Sequence, residues 1–233
     1  MKKDKLLQWM RIAGYAMILV FIIIGFFIAR KGQEAFMEYL KEDGLVENLT
    51  ALFLLAASGT AVFRCFRAPL GHSRYYYVTW GLIAFLFFFA FGEEISWGQR
   101  IFNIGTSAYF ENNNLQHETN LHNLVIGGVK INKLIFSQLM SILMACYFIL
   151  LRPLAQKTGF FNRMVNLFDV PLPRWGDVIA MIISIILTSQ YHLMKAAELR
   201  EIAFAAIMFL IFLDPARIAV KSETTRNPKH SNL

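Results

Sequence analysis

The chain is predicted to fold as an all-α, polytopic transmembrane bundle, and three observations predict it. Its 233 residues are 56% hydrophobic and 15% aromatic, with a mean hydropathy of +0.46. Soluble domains hold roughly 45–50% apolar residues. Several apolar runs approach about 20 residues, the length a helix needs to cross about 30 Å of hydrocarbon, and one soluble core of this size cannot hide them all. The Lys and Arg residues flank these runs instead of forming a basic helix or strand, so the net charge of +7 is an orientation signal and not a nucleic-acid footprint.

Six spans are expected, at about 12–29, 45–63, 75–92, 131–151, 176–192 and 196–212, within one transmembrane domain over 1–221. The first follows Lys2, Lys3, Lys5 and Arg11 and is closed by Arg30-Lys31. Its apolar run exceeds a signal-peptide core and no small-residue cleavage site follows, so it reads as a retained helix. The segment 33–43 sets Phe36, Met37 and Leu40 among acidic residues, the pattern of a short helix lying in the interface. The second span contains Glu47 and ends on Arg64 and Arg67, and the strongly aromatic third runs into Glu93-Glu94. A long polar connection over 93–132 leads to the fourth, which is closed by Arg152-Pro153. Pro171 and Pro173 precede the fifth, Asp214-Pro215 ends the sixth, and the polar tail over 222–233 is expected to be disordered.

Placing the N-terminus inside assigns 15 Lys and Arg to the cytoplasmic face and 8 to the outer one, against 5 and 11 Asp and Glu. That asymmetry predicts N-in, C-in. Cys65 and Cys146 both fall toward the cytoplasm, which supports neither a disulfide nor a thiolate metal site. No Gly-rich phosphate loop, GxSxG elbow or CxxC motif occurs.

With this topology Glu47, Glu93, Glu94, His117, Glu118, His122, His192, Glu198 and Glu201 all fall at outer helix ends or in outer loops. Ionisable groups near hydrocarbon are costly and usually face a bundle interior or cavity. Three segments carry them. In Gly92-Glu93-Glu94-Ile95-Ser96-Trp97-Gly98-Gln99-Arg100, a continued helix sets Glu93, Trp97 and Arg100 on one side, with Glu94 on an adjacent one. The alternative is a carboxylate paired with Arg100 beside an interfacial Trp. In 112–123, His117 and His122 are five apart, which breaks the HExxH pattern, whereas Glu118 and His122 are four apart and suit a shared metal such as zinc or iron. The alternative is a hydrogen-bonded cap whose Asn side chains satisfy turns. In 192–201, Glu198 and Glu201 are three apart on one helical face, either as site carboxylates or paired with Lys195 and Arg200.

The strings GEEISWGQRIF and NNLQHETNLHN together resemble the signature of a family of bacterial multi-pass inner-membrane proteins whose activity is uncharacterised. The resemblance covers about 92–123, with a weaker echo around 198–201, and it implies a bacterial inner (plasma) membrane. A looser likeness links the chain to membrane hydrolases of the alkaline ceramidase type, which gather His and acidic residues around zinc. Their paired His on a late helix has no match here beyond His192.

Three functions are therefore expected to compete. The first is a metal-dependent hydrolase or transferase acting on a lipid or lipid-linked substrate. In it Glu94, Glu118, His122, His192 and Glu198 hold a divalent ion such as zinc. Glu93 is the general base for a metal-bound water, and Arg100 grips an anionic head group. The second is an ion- or proton-coupled transporter, disfavoured by the nearly unbroken apolarity of spans one, three and four. The third is a non-enzymatic assembly factor that docks through the polar cap.

Overall fold

A computed structural model describes residues 2–68, 72–130, 139–191, 193 and 195–220. The chain is 71% helical with almost no strand. Three helices are long and apolar enough to cross a membrane, α1 (Lys2–Ala29), α3 (Leu45–Arg67) and α4 (Arg74–Glu94), which makes this a membrane-embedded protein. Between them lies α2 (Gln33–Tyr39). The later elements are α5 (Ala108–Asn113), a hairpin of β1 (Val125–Ile126) and β2 (Val129–Lys130), α6 (Met140–Ala145), α7 (Arg152–Lys157), α8 (Gly159–Leu167), α9 (Trp175–Thr188) and α10 (Glu198–Leu213).

At the centre of the bundle stands α10. Leu199, Ile202, Ala203, Ala206, Ile207, Leu210 and Ile211 are buried, so apolar residues cover it on every side. A helix that is hydrophobic all round belongs in a core, and α1, α3 and α9 pack around this one. Its 16 residues span about 24 Å, less than the roughly 30 Å of a hydrocarbon core. α9, with 14 residues, is shorter still.

The outer helices divide their faces as a lipid-exposed bundle requires. On α1, Ile18 and Ile22 point inward, while Leu19, Val20, Ile23, Ile24 and Phe27 face outward. α3 and α4 pack along their lengths. Buried small residues on these helices, Ala57, Ala61 and Ala84, let neighbouring backbones approach closely without a hydrophobic driving force. Ser58 Oγ donates to the Ala84 carbonyl at 2.8 Å across that seam.

Beyond Leu210 O, which accepts from Asp214 N at 3.3 Å, the last carbonyls of α10 have no helical partners among the described residues. Two arginines supply the donors. Arg64 donates to Phe212 O at 2.6 Å and Leu213 O at 3.0 Å while its guanidinium lies 4.7 Å from the buried Trp80 ring. Arg11 donates to Leu210 O and Asp214 O and pairs with the fully buried carboxylate of Asp177, which also accepts from Tyr15 Oη.

Several boundaries differ from those expected. α1 begins ten residues before its apolar run, at Lys2. The segment expected to lie flat in the interface forms α2, but its Phe36 is fully buried, 5.2 Å from the Tyr191 ring. The fourth helix does not end at Arg152-Pro153, because a π-helical stretch, Cys146–Leu151, joins α6 to α7 without a break. A wide turn makes room for a proline ring that lacks an N–H and crowds the preceding carbonyls. The first residues of that expected span, 131–138, and the tail over 222–233 lie outside the described residues.

Candidate functional site

The last turn of α4 carries Glu93 and Glu94. Negative charge is disfavoured at a helix C-terminus by about 0.3–1 kcal/mol per group, so this pair contradicts local preference and needs a tertiary reason. For Glu93 the reason is a set of donors. Its Oε1 accepts from Trp97 Nε1 at 2.8 Å, and its Oε2 accepts from the backbone N–H groups of Leu121 at 2.6 Å and His122 at 3.0 Å. The carboxylate expected to act as a general base instead clamps a loop.

The helix does not continue through the motif as expected. It ends at Glu94, and Ser96, Trp97 and Gly98 follow with φ of 47°, 55° and 76°. Left-handed backbone in two consecutive non-glycine residues is strained, and surrounding structure must hold it. Gly92 allows this turn because a Cβ there would lie 2.8 Å from the Trp97 ring. Gly98 combines a positive φ with a Cβ position 2.8 Å from Phe102.

The two signature strings form one hydrogen-bonded unit. Ser96 Oγ donates to Glu118 Oε2 and accepts from Asn120 Nδ2 at 2.9 Å. Gln99 Oε1 accepts from Thr119 N at 2.7 Å. Asn120 Oδ1 accepts from Asn114 Nδ2 at 2.9 Å and Asn123 N at 3.1 Å, while Asn114 Oδ1 accepts from Gln116 N at 2.8 Å. Asn114, Asn120, Asn123 and Ser96 are all buried. Asn side chains here replace the backbone partners that an irregular loop lacks.

Arg100 ties this cap to the bundle. It meets Asp43 at 3.1 Å, Glu47 at 3.2 Å and Glu118 at 3.2 Å. Partial burial lowers the pKa of its guanidinium, but Glu118, Glu47 and Asp43 outweigh that effect and raise it above the usual arginine value. Glu93 is not among its partners. His117 lies at the exposed edge with Nδ1 2.7 Å from Glu111 O, and an open depression lined by Met37, Glu38, Lys41, Glu42 and Lys195 lies at the same end of the bundle.

Glu94 turns to a different group. Carboxylate oxygens of Glu94, Glu198 and Glu201 lie within 4.8 Å of one another, all three side chains partly buried. Glu198 and Glu201 occupy the first turn of α10, where the helix dipole favours anions. Lys195, considered as their local counter-ion, reaches Glu42 at 3.1 Å. Three carboxylates at this spacing repel when all are ionised, and a bound cation or bound protons offset that repulsion. The donors are all oxygen, which suits a hard divalent ion such as Mg²⁺, Mn²⁺ or Ca²⁺.

Of the five residues expected to hold a metal, the structure brings together Glu94 and Glu198. Glu118 and His122 belong to the cap, Glu118 through Arg100 and Ser96, His122 through its backbone N–H to Glu93. Neither joins Glu94 in a group of three close ligand atoms among the described residues. His192 lies outside the described residues. Glu201 completes the triad, and its i, i+3 spacing from Glu198 is the sequence signal for it.

The cap makes a direct prediction. Glu93→Ala strands three N–H donors, and each buried orphan costs about 1–3 kcal/mol. Hydrogen exchange of the 114–124 amides is expected to accelerate while that of α3 and α10 is unchanged. Unchanged exchange in the loop would mean that Glu93 does not hold it.

No family model matches the chain, and no curated protein or solved structure is similar to it.

Proposed function

We propose that this chain is a six-span, N-in, C-in protein of a bacterial inner membrane, one transmembrane domain over 1–221. Its activity, in this reading, is that of a hydrolase or transferase using a divalent cation on a lipid or lipid-linked substrate at the outer leaflet. The observation that carries it is the convergence of Glu94, Glu198 and Glu201 within 4.8 Å. The charge asymmetry of the loops supports the reading that this end of the bundle faces outside.

In this reading the triad holds the cation, leaving the remaining positions for water and for a phosphate or carbonyl oxygen of the substrate. A metal there lowers the pKa of its bound water and polarises the group under attack. Arg100 steers an anionic head group toward the triad, with Glu47 and Glu118 fixing its orientation. Glu198 and Glu201, in the first turn of α10, stand beside Glu94 at the end of α4. The cap made by 114–123 lies at the same end, fastened through Glu93 and Arg100.

A second reading takes the same triad as a proton or cation carrier site, because clustered carboxylates inside a bundle also serve proton relays. One experiment separates the two. Protein purified without chelators is assayed for divalent metal by mass spectrometry, and then in proteoliposomes for cleavage of labelled phospholipids and for ion flux. Bound metal with metal-dependent lipid turnover and no flux is expected. Flux without bound metal or turnover would establish the carrier, and absence of all three would end both readings in favour of a docking or assembly role.

A further inference from the structure

The segment between the fourth and fifth spans, read in the sequence as a loop, contains an amphipathic helix with one unaccounted face. On α8, Asn162 and Val165 are buried against the bundle, while Phe160, Met164 and Leu167 are 67%, 37% and 45% exposed. Spacings of four and three put these last three on one face. They are too large and too regular in placement to be scattered surface apolar residues.

The depth at which α8 is held says what covers that face. The chain just after it is tucked well inside the ends of two spans. The Phe168 ring lies 5.0 Å from that of Tyr75, tilted by 59°, and Asp169 Oδ2 accepts from Trp80 Nε1 at 3.1 Å. Trp80 is six residues into α4, about 9 Å from its start. Tyr147 Oη donates to Pro171 O at 2.7 Å, and Tyr147 stands about 6 Å along the helix from the proposed end of the fourth span at 151. Arg152 then donates to Pro173 O at 2.9 Å with its guanidinium 5.0 Å from the half-exposed Trp175 ring. On its inner face Asn162 Nδ2 donates to Ala155 O at 3.1 Å and Ala219 O at 3.0 Å, so the helix is fastened to α7 and to the segment after α10. A helix fixed beside membrane-spanning segments at this height stands level with the boundary between head groups and acyl chains.

Charge agrees with that placement. From Arg152 to Asp169 the chain carries Arg152, Lys157 and Arg163 and one acidic residue, Asp169. An apolar face bordered by cations is the pattern that attracts anionic lipid.

We propose that α8 is a membrane-surface anchor that seats Phe160, Met164 and Leu167 among the acyl chains of the leaflet at the Arg11 end of the bundle and recruits anionic head groups around Arg163 and Lys157. It rests on the six-span reading proposed above for the segments beside α8, and on the proposed orientation in naming that leaflet cytoplasmic.

The test is a depth measurement on the full chain. In a Cys65→Ser, Cys146→Ala background, Met164→Cys, Leu167→Cys and, as reference, Glu111→Cys are each labelled with an environment-sensitive fluorophore and reconstituted into vesicles. The vesicles contain phosphatidylcholine alone or with added phosphatidylglycerol. Lipid carrying a shallow spin label is expected to quench residues 164 and 167 several-fold more than residue 111, and iodide the reverse. Phosphatidylglycerol should increase the lipid quenching, and Arg163→Gln should remove that increase. Labels at both positions that respond to iodide as residue 111 does would overturn the anchor, and quenching indifferent to phosphatidylglycerol would overturn its lipid preference. An impermeant maleimide on whole cells tests orientation separately, because the depth result holds for either leaflet.

Discussion

Glu94→Gln is expected to abolish divalent-cation binding and lipid turnover together. Glu94 is one of three oxygen ligands whose atoms lie within 4.8 Å of one another, and three protein ligands leave no redundancy for a cation that must be held against water. Loss of an outer-shell partner alone costs about 10–100-fold in metal affinity, so loss of a direct ligand should exceed that. Glu201→Gln should match it, since Glu201 contributes equally to the cluster. Arg100→Gln should leave binding largely intact and weaken turnover of anionic substrates, because Arg100 pairs with Glu47 and Glu118 and not with the triad. Manganese titration followed by electron paramagnetic resonance reads the affinity. A thermal melt in metal-free detergent supplies the folding control, and its sign is informative. Removing one of three mutually repelling carboxylates should leave stability unchanged or raise it. Native-like manganese affinity in both Glu variants would sink the cation site, whatever happened to activity.

The second large effect lies at the opposite end of the bundle. Arg11→Met is expected to destabilise the protein by about 3–5 kcal/mol, the usual result of removing one partner of a buried ion pair. Asp177, fully buried, would lose the guanidinium and keep only Tyr15 and the Arg174 N–H, while the carbonyls of Leu210 and Asp214 would lose a donor. The double change Arg11→Met, Asp177→Leu should recover most of the loss, because a well-packed apolar pair often matches a buried ion pair. Recovery should stop short of complete, since Asp177 also accepts from Arg174 N at 2.7 Å at the start of α9, and loss of a helix cap costs about 1 kcal/mol. Unfolding temperatures of the native chain, Arg11→Met, Asp177→Leu and the double variant in one detergent test this. A single Arg11→Met variant as stable as the native chain would show that the pair does not hold α1 to α9 and α10.

Neither end of the bundle is equally visible in the linear chain. α1, α3 and α4 are legible because their apolar runs are long and end on charged residues, and hydropathy needs no knowledge of neighbours. The polar character of the cap is legible for a similar reason, since Asn112, Asn113, Asn114, Asn120 and Asn123 are turn formers between apolar segments. In the linear chain Arg11 is one more flanking cation, and Asp177 is an acidic residue in the first turn of an apolar helix. The signal for them was an acidic residue inside a span, which has to find a cation somewhere.

Local pattern therefore settled that the longest apolar stretches are helical and belong in a membrane, and which residues are chemically unusual. It did not settle who meets whom. Glu93 and Glu94 are adjacent and chemically identical, yet one clamps the backbone of 121–122 and the other faces Glu198 and Glu201. A turn of about 100° between consecutive helical residues sends neighbours to different surroundings, and what waits there depends on how α10 packs against α3 and α4. Helix propensity and hydropathy are properties of a segment. Carboxylate convergence is a property of crossing helices, set by small-residue seams and arginine-capped ends far away in the chain.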